Sequence, residues 1–436
     1  MRASRFRQRF VPAIALALAF AWVLLVPASS AGTLEEEEYV MRVVERLAQP
    51  AYEGRRSGTL GGKLAARYLA GELARLGVYP LGSLRTGAPE DYIHYFTYKV
   101  GEDEERVQAG RNVLGWIPGS QGGLADGCFL LSAHYDHLGY RLTPEGWKYF
   151  AGANDNASGV AAVLAVARRY TLLGGRPEYP VVIALFDAEE SGLMGSQALV
   201  ENPPLPLAHA FNINFDMVGA LAEHRLLVAV GAEKNRSGEG SEELWAELLE
   251  AARGLPAPFE PARMREGWQA GDQYSFNKAG VPFLYLFTGV TGEYDRLTDT
   301  PDKLNYRGIS EMANLVVEML ARLGAPSQYR WVRQEEDAGG VSPGERRAYL
   351  GTIPDFTRKV DGGVALSGVQ PGSPAEAAGI RAGDILRRID DRPVTDLAGL
   401  ADILRSLDPG QKVIVVVERD GKLLSIEVVV AGRPEK

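Results

Sequence analysis

The residues CFLLSAHYDH (128–137) are the clearest indication of the fold class. Its apolar start is rich in residues that favour β-strands, and it runs directly into His134, Asp136 and His137. Four further runs have the same apolar character: VVIALFD (181–187), FNINFD (211–216), LLVAVG (226–231) and PFLYLF (282–287). Runs this short and this apolar predict strands that are buried on both faces.

Helical patterns alternate with these strands. Apolar residues at helical spacing predict helices over 61–76, 158–173, 242–253 and 309–323. The alternation predicts an α/β domain over residues 32–325, in which helices flank a mostly parallel central sheet. A polar linker with many Gly and Pro residues (326–345) separates it from a small β-rich module over 346–433.

Composition narrows the class of protein. The 436-residue chain is 46% hydrophobic and 24% charged, which is typical of a packed globular protein. Its 47 basic and 56 acidic residues give a formal net charge of −9. We expect no nucleic-acid partner, because phosphate binding needs a basic face. The single cysteine, Cys128, excludes an intrachain disulfide and a thiolate zinc cluster.

The N-terminal segment is typical of an export signal. Four arginines precede an apolar run from Val11 to Val26, and small residues follow to Ala31. We interpret residues 1–31 as a secretory signal peptide and expect an exported protein, periplasmic or secreted, without a stable membrane span after cleavage. An uncleaved membrane anchor is the alternative, although the apolar run is slightly short for a span of about 20 residues.

Polar residues gather where the predicted strands end or the next helix begins. They are His134, Asp136, Asp155, Glu189, Glu190, Asp216 and Asp295. Ligands of open α/β sheets bind beyond the carboxyl ends of the strands. Each of these residues, considered alone, could have a purely structural role as a helix N-cap or a hydrogen-bonded group. Several carboxylates buried in one cleft are costly without cations, so the set predicts a metal-dependent hydrolase.

Six segments carry a resemblance to a known family. In chain order they are EGRRSGTLGG (53–62), AHYDHLG (133–139), GANDNASGVAAVL (152–164), FDAEESGLMGS (186–196), NFDMVG (214–219) and TDTPDKLNY (298–306). This part of the chain resembles metallopeptidase family twenty-eight, the zinc aminopeptidase family whose relatives include glutaminyl cyclases. The resemblance implies two divalent metal ions as cofactors, zinc in the first place, with manganese or magnesium as the alternative at the second site.

The resemblance also implies roles for the individual residues. His134 and Asp216 would bind one metal, and Asp155 would bridge to a second metal bound by Glu190. Glu189 would be the general base, which takes a proton from the attacking water and passes it to the leaving amine. Asp136 lies two residues after His134, on the same side of an extended backbone, and would orient it.

One position departs from the family pattern. The last ligand of the family is a histidine, and the matching tract here reads EYDRLTDTPDKLN (293–305), which places Asp295 there. The chain has five histidines, and none follows position 224. In one interpretation Asp295 is a ligand, and the resulting all-oxygen set favours manganese or magnesium. In the other, the site has lost one metal or both.

The C-terminal module resembles a PDZ domain. YLGTIPDF (349–356) is similar to the carboxylate-binding loop of that family, and VQPGSPAEAAGIRAGDILRRIDDRPV (369–394) to its central signature. The resemblance implies that backbone N–H groups of Leu350, Gly351 and Thr352 bind the C-terminus of a peptide or protein, whose chain adds a strand beside the loop. A β-rich cap that binds nothing is the alternative.

These observations predict an exported metallo-aminopeptidase that hydrolyses N-terminal peptide bonds of peptides or proteins. Two other functions stay open. One is a peptide-binding protein that has lost catalysis, and the other is a metal-dependent amide hydrolase or an enzyme of the glutaminyl cyclase type. Metal content separates the first rival from the aminopeptidase, and product analysis separates the second.

Overall fold

A computed structural model describes most of the chain outside its N-terminal segment. The described residues are 30–100, 106–143, 145–221, 226–234, 240–253, 255, 261–265, 268–331 and 348–432. Residues 1–29 of the predicted signal segment and residues 332–345 of the predicted linker lie outside them. Within the described ranges, no helix has the length and apolar character needed to cross a membrane.

Helices and strands alternate through the first three quarters of the chain. The helices are α1 (Ser30–Leu47), α2 (Leu60–Arg75), α3 (Gly159–Thr171), α4 (Met194–Glu201), α5 (Gly240–Arg253), α6 (Gln273–Lys278) and α7 (Tyr306–Arg322). The strands are β1 (Tyr79–Pro80), β2 (Ile93–Val100), β3 (Arg106–Ile117), β4 (Cys128–His134), β5 (Tyr140–Thr143), β6 (Gly146–Tyr149), β7 (Val181–Phe186), β8 (Ala210–Asp216), β9 (Leu227–Val230), β10 (Ala232–Lys234), β11 (Ala262–Arg263), β12 (Phe283–Phe287) and β13 (Tyr329–Trp331).

Nine of the described strands form one central sheet, in the order β1-β3-β7-β4-β8-β12-β9-β11 with β2 beside β3. The four middle strands, β7, β4, β8 and β12, are mutually parallel. The neighbours on either side, β3 and β9, run antiparallel to them. The predicted α/β class with a mostly parallel sheet is therefore confirmed, and the parallel part is the centre of a mixed sheet.

Helices cover both faces of this sheet, which explains why its central strands are continuously apolar. β4, β7 and β8 are buried at every residue. One face packs against α1, α2, α3, α5 and α7. The other face includes Leu199 of α4 and Phe276 of α6. Because β7, β4, β8 and β12 are parallel, their carboxyl ends lie along one edge of the sheet, where the loops that follow them meet.

The C-terminal residues form a second, smaller β-rich unit with its own core. Its strands are β14 (Ala348–Tyr349), β15 (Thr352–Pro354), β16 (Val364–Val369), β17 (Ile385–Ile389), β18 (Arg392–Pro393), β19 (Lys412–Arg419), β20 (Lys422–Val429) and β21 (Ala431–Gly432). Helices α8 (Pro374–Ala377) and α9 (Leu397–Arg405) accompany them. The described sheet runs β15-β16-β17-β19-β20, so β15 is its edge strand.

Candidate metal centre

Two groups of possible metal ligands lie at the carboxyl edge of the parallel strands. The first contains His134, Asp155 and Asp216, and the second contains His137, Asp155 and Glu190; within each group the ligand atoms lie within 4.8 Å of one another. β4 ends at His134, β8 ends at Asp216, and Asp155 lies in the turn before α3. Parallel strands thus bring together side chains that are up to 82 positions apart in sequence, as in the pair His134 and Asp216.

Asp155 is shared by both groups. Its Oδ1 lies 3.3 Å from Nε2 of His134, and its Oδ2 lies 3.9 Å from Nδ1 of His137. The first group is closed by Asp216, whose Oδ1 is 3.5 Å from Nε2 of His134. The second is closed by Glu190, whose Oε1 is 3.1 Å from Nδ1 of His137. A carboxylate that presents one oxygen to each group has the arrangement of a bridging ligand between two cations.

The chemistry of these donors fits divalent cations. His134, His137, Asp155 and Asp216 are all buried, and Glu190 is partly buried. Burial raises the pKa of the Asp155 carboxyl, and the neighbouring Glu190 charge raises it further. Bound cations would reverse that shift, because they compensate negative charge that water does not reach. Two imidazoles and three carboxylates are nitrogen and oxygen ligands of the kind that zinc accepts.

Glu189 and Asp136 lie beside the two groups without belonging to either. The Asp136 carboxylate accepts hydrogen bonds from the backbone N–H of Glu189 at 3.0 Å and of Glu190 at 3.4 Å. It therefore holds the backbone that carries the paired glutamates. Burial raises the pKa of the Glu189 carboxyl well above its ordinary value, against the lowering effect of His134. A raised pKa suits a group that accepts a proton from water and later returns it.

Comparison with known proteins assigns both units. Residues 112–320 match the model of peptidase family M28, and residues 348–430 match that of the PDZ domain. The first unit is a member of peptidase family M28. The C-terminal unit is a PDZ domain. Both resemblances predicted from the sequence are confirmed.

Curated relatives share limited parts of their length with this chain. Leupeptin-inactivating enzyme 1 of Streptomyces exfoliatus is 33% identical over 144 residues, which is 32% of this chain and 30% of that protein. The serine endoprotease DegS of Haemophilus influenzae is 31% identical over 88 residues, 20% of this chain and 26% of that protein. The periplasmic pH-dependent serine endoprotease DegQ of Escherichia coli is 37% identical over 73 residues, 17% of this chain and 16% of that protein. The chain thus spans less than a third of the length of these relatives.

Solved structures share the fold. A leucine aminopeptidase precursor from Bacteroides thetaiotaomicron superposes with a TM-score of 0.51 and 20% identity, covering 66% of this chain and 97% of that one. The glutaminyl cyclase of the same organism gives a TM-score of 0.50 and 20% identity, covering 66% and 98%. At this identity the likeness establishes the architecture and leaves the reaction open.

Asp295, the predicted last ligand, is a member of neither ligand group among the described residues. It lies in the loop after β12 with a backbone φ of 59°, and its role as a ligand stays a prediction. The second group contains His137. The sequence offers no histidine after position 224 that could replace the family ligand, and His137 lies three positions after His134. Since β4 ends at His134, strand alternation does not set the direction of His137.

Two buried residues hold the turn that presents Asp155. The Asp299 carboxylate accepts hydrogen bonds from the backbone N–H of Asn154 at 2.8 Å and of Asp155 at 3.1 Å, and burial raises its pKa to about 6. The fully buried Arg55 guanidinium donates to the carbonyl oxygens of Tyr135, Ala151, Gly152 and Leu47. Arg55 thereby ties the segment after β4 to the turn before Asp155. Its only sequence signal was its place in EGRRSGTLGG (53–62).

Asp272 is a further acid that the sequence did not single out. It lies directly before α6, fully buried, and burial raises its pKa to about 6 against the lowering effect of His134. The negative charge of Asp272 also contributes to raising the pKa of the Glu189 carboxyl. The M28 domain therefore places one more titratable carboxyl beside the paired glutamates. Only the packing of α6 against the sheet brings it there.

The predicted carboxylate loop of the PDZ domain precedes β15. Leu350 is buried, and its carbonyl oxygen accepts a hydrogen bond from the N–H of Ala375 at 2.9 Å. Gly351 has a φ of 80°, and its carbonyl accepts from the N–H of Gln370 at 2.7 Å. These bonds turn the loop into the edge strand, which begins at Thr352. Peptide binding by this loop stays a prediction.

Proposed function

We propose that this protein is an exported metallo-aminopeptidase that acts through two divalent cations. His134 and Asp216 would hold one cation, and His137 and Glu190 would hold the other. The position of Asp155 is the observation that carries the proposal, because one of its carboxylate oxygens lies near His134 and the other near His137. In this assignment His137 supplies the imidazole that the family has at the position of Asp295.

Each residue of the site would have a separate role in hydrolysis. Cations bound here would polarise the scissile carbonyl and lower the pKa of water. Glu189 accepts a proton from the attacking water and delivers it to the leaving amine as the C–N bond breaks, so that the hydroxyl stays on the acyl carbon. Asp136 fixes the backbone of Glu189 and Glu190 through its two hydrogen bonds. Tyr285 donates a hydrogen bond of 3.1 Å to Oδ2 of Asp216 and orients that carboxylate.

Metal counting combined with hydrolysis of leucinamide tests the proposal. We expect close to two zinc or manganese ions per chain and release of leucine. Glu189→Gln keeps its shape and both metals but loses about 100-fold or more in kcat, because it cannot accept the proton. A protein that binds no metal after incubation with zinc or manganese would refute the proposal. Pyroglutamate formed from a peptide with N-terminal glutamine would assign the cyclase reaction instead.

The ligand assignment has its own matched pair of variants. His137→Ala should bind one metal fewer, whereas Asp295→Ala should keep both. The opposite result would return Asp295 to the ligand set and remove His137 from it. Either outcome leaves the two-metal mechanism testable with leucinamide.

The PDZ domain and the N-terminal segment complete the proposal. The loop Leu350–Thr352 binds the C-terminus of a peptide or protein, in support of which stands the similarity of YLGTIPDF (349–356) to the PDZ loop. Export is supported by the composition of residues 1–31 and by the relative DegQ, whose name describes it as periplasmic. Cell fractionation and N-terminal sequencing of the mature protein test it: a chain that starts at Met1 in the cytoplasm would overturn it.

A further inference from the structure

Two polar side chains lie two positions before the ligands of the first group. Ser132 of β4 and Asn214 of β8 are paired across these neighbouring parallel strands. Side chains two positions apart on a strand share a face, so each lies on the same face as the ligand that follows it, His134 or Asp216. The Ser132 hydroxyl donates a hydrogen bond of 2.8 Å to Oδ1 of Asn214. This bond joins the two strands directly before the pair of ligands.

That bond is part of a longer buried chain of hydrogen bonds. Nδ2 of Asn212 donates to the Ser132 hydroxyl at 2.8 Å. Nδ2 of Asn214 donates to Oε1 of Gln273, the first residue of α6, also at 2.8 Å. We call these four residues the polar chain: Asn212, Ser132, Asn214 and Gln273. Each of them is at most 1% exposed, and each of their mutual hydrogen bonds is donated in the direction of α6.

The polar chain ends beside a metal ligand. Gly271 lies two positions before Gln273, and its backbone approaches Asp216. A Cβ at Gly271 would lie 2.7 Å from Oε1 of Gln273 and 3.2 Å from Oδ2 of Asp216. The same oxygen accepts the hydrogen bond from the Tyr285 hydroxyl. The segment that leads into α6 therefore limits the space available to the Asp216 carboxylate.

Burial alone does not require polar residues at these positions. The same face of the sheet carries Leu130 on β4 and Ala210 on β8, farther from the ligands, and both belong to an apolar cluster. A buried polar group costs free energy unless its hydrogen bonds form, whereas a bonded network fixes one arrangement of the elements that carry it. Asn214 uses its amide oxygen toward β4 and its amide nitrogen toward α6. It therefore favours one relative position of β4, β8 and α6.

We propose that Asn214 is a positioning residue of the metal centre, which sets the affinity of the cation assigned to His134 and Asp216. Through Ser132 it fixes the strand that ends at His134, and through Gln273 it fixes the helix whose approach limits Asp216. The other cation is assigned to His137 and Glu190, which lie outside both strands and outside α6, so its affinity is expected to change little. The inference rests on the two-cation function proposed above and adds a residue that acts on one cation of the two.

Zinc titration of the full-length, chelator-treated protein against a competing chelator tests the proposal. Asn214→Ala should raise the Kd of one of the two zinc ions about tenfold, because residues that orient metal ligands contribute about 10–100-fold to affinity. Gln273→Leu removes the same hydrogen bond from the side of α6 and should have the same effect.

Asn212→Ala is the matched control. Asn212 is a buried asparagine on the same strand and face, and its amide nitrogen donates only within β4, to Leu130 and Ser132. Asn212→Ala should lower the melting temperature as Asn214→Ala does, but it should leave both zinc affinities within about twofold of the wild type. Equal weakening of zinc binding by the two variants, or none in either, would overturn the inference.

The background of His137→Ala identifies the affected cation. This variant should keep the zinc at His134 and Asp216, and adding Asn214→Ala should weaken that zinc about tenfold. An unchanged affinity of the remaining zinc would overturn the inference, while two zinc ions in the wild type uphold the two-cation centre. A wild-type protein that binds no zinc would refute that centre, and this inference would fail with it.

Discussion

Replacing Arg55, which lies in the interior, should have a large effect on stability. Its guanidinium is fully buried and makes four hydrogen bonds of 2.7–2.9 Å, each to a backbone carbonyl. Hydrogen bonds to a charged group contribute about 1.5–3 kcal/mol each. At the lower value four bonds amount to about 6 kcal/mol, which compares with a total stability of about 5–15 kcal/mol for a typical protein. Burial already lowers the pKa of Arg55 to about 10, against nearby carboxylates.

Arg55→Met should therefore lower the free energy of unfolding by about 4–6 kcal/mol, since methionine fills part of the space and leaves the carbonyls unpaired. Arg55→Lys keeps the charge and at most three donors, and should lose about half as much. Urea unfolding of the metal-loaded protein measures both, with the exposed neighbour Arg56→Met as the control expected to change stability by less than about 0.5 kcal/mol. A loss below about 1 kcal/mol for Arg55→Met would refute this account of the buried guanidinium.

Removing the metals with a chelator should lower the melting temperature, because a ligand present at 100 times its Kd stabilises the folded state by about 2.7 kcal/mol, and zinc should restore it. Burial acts to raise the pKa of Asp384, but hydrogen bonds from Arg419 and the N–H of Arg381 lower it below its ordinary value. The stability that the Asp384 carboxylate contributes is thus present above its pKa in the unfolded chain and is lost as the pH falls through its pKa in the folded protein. Asp384→Asn should abolish this loss of stability at low pH. Hydrogen exchange of β19 measures it. Gly351→Val should displace the PDZ loop, because Gly351 has a φ of 80° and a Cβ there would lie 2.2 Å from Cβ of Ser373; titration with a valine-terminated peptide acid measures the lost binding.

Each of these has a contrary outcome. A melting temperature indifferent to chelator would mean that no cation is held between the buried carboxylates. If hydrogen exchange of β19 increases equally at low pH in the wild type and in Asp384→Asn, other titratable groups cause the acid sensitivity. Unchanged peptide affinity in Gly351→Val would show that the loop tolerates a side chain at positive φ or does not bind the carboxylate.

Local sequence patterns were sufficient to predict the α/β class and the succession of elements. Apolar runs such as 128–134 and 181–186 have to lie in the interior, and the helical patterns between them leave few arrangements other than a central parallel sheet. The sequence also placed acids and a histidine at strand ends, because the carboxyl edge of such a sheet is a geometric consequence of parallel strands. These inferences need only local periodicity and burial, which the order of residues carries directly.

Which of those residues meet depends on how the elements pack in three dimensions. His137 enters the second ligand group because the chain leaves β4 at His134 and turns back toward Glu190, and no local period describes that turn. Arg55 acts on three segments that are up to 97 positions away, so its role appears only when their carbonyls converge. The contact of Phe287 with Phe356 joins the two domains across 69 positions. Such long-range contacts depend on how whole elements pack. Sequence patterns miss them because the tendency of one residue to be buried or hydrogen-bonded does not specify its distant partner.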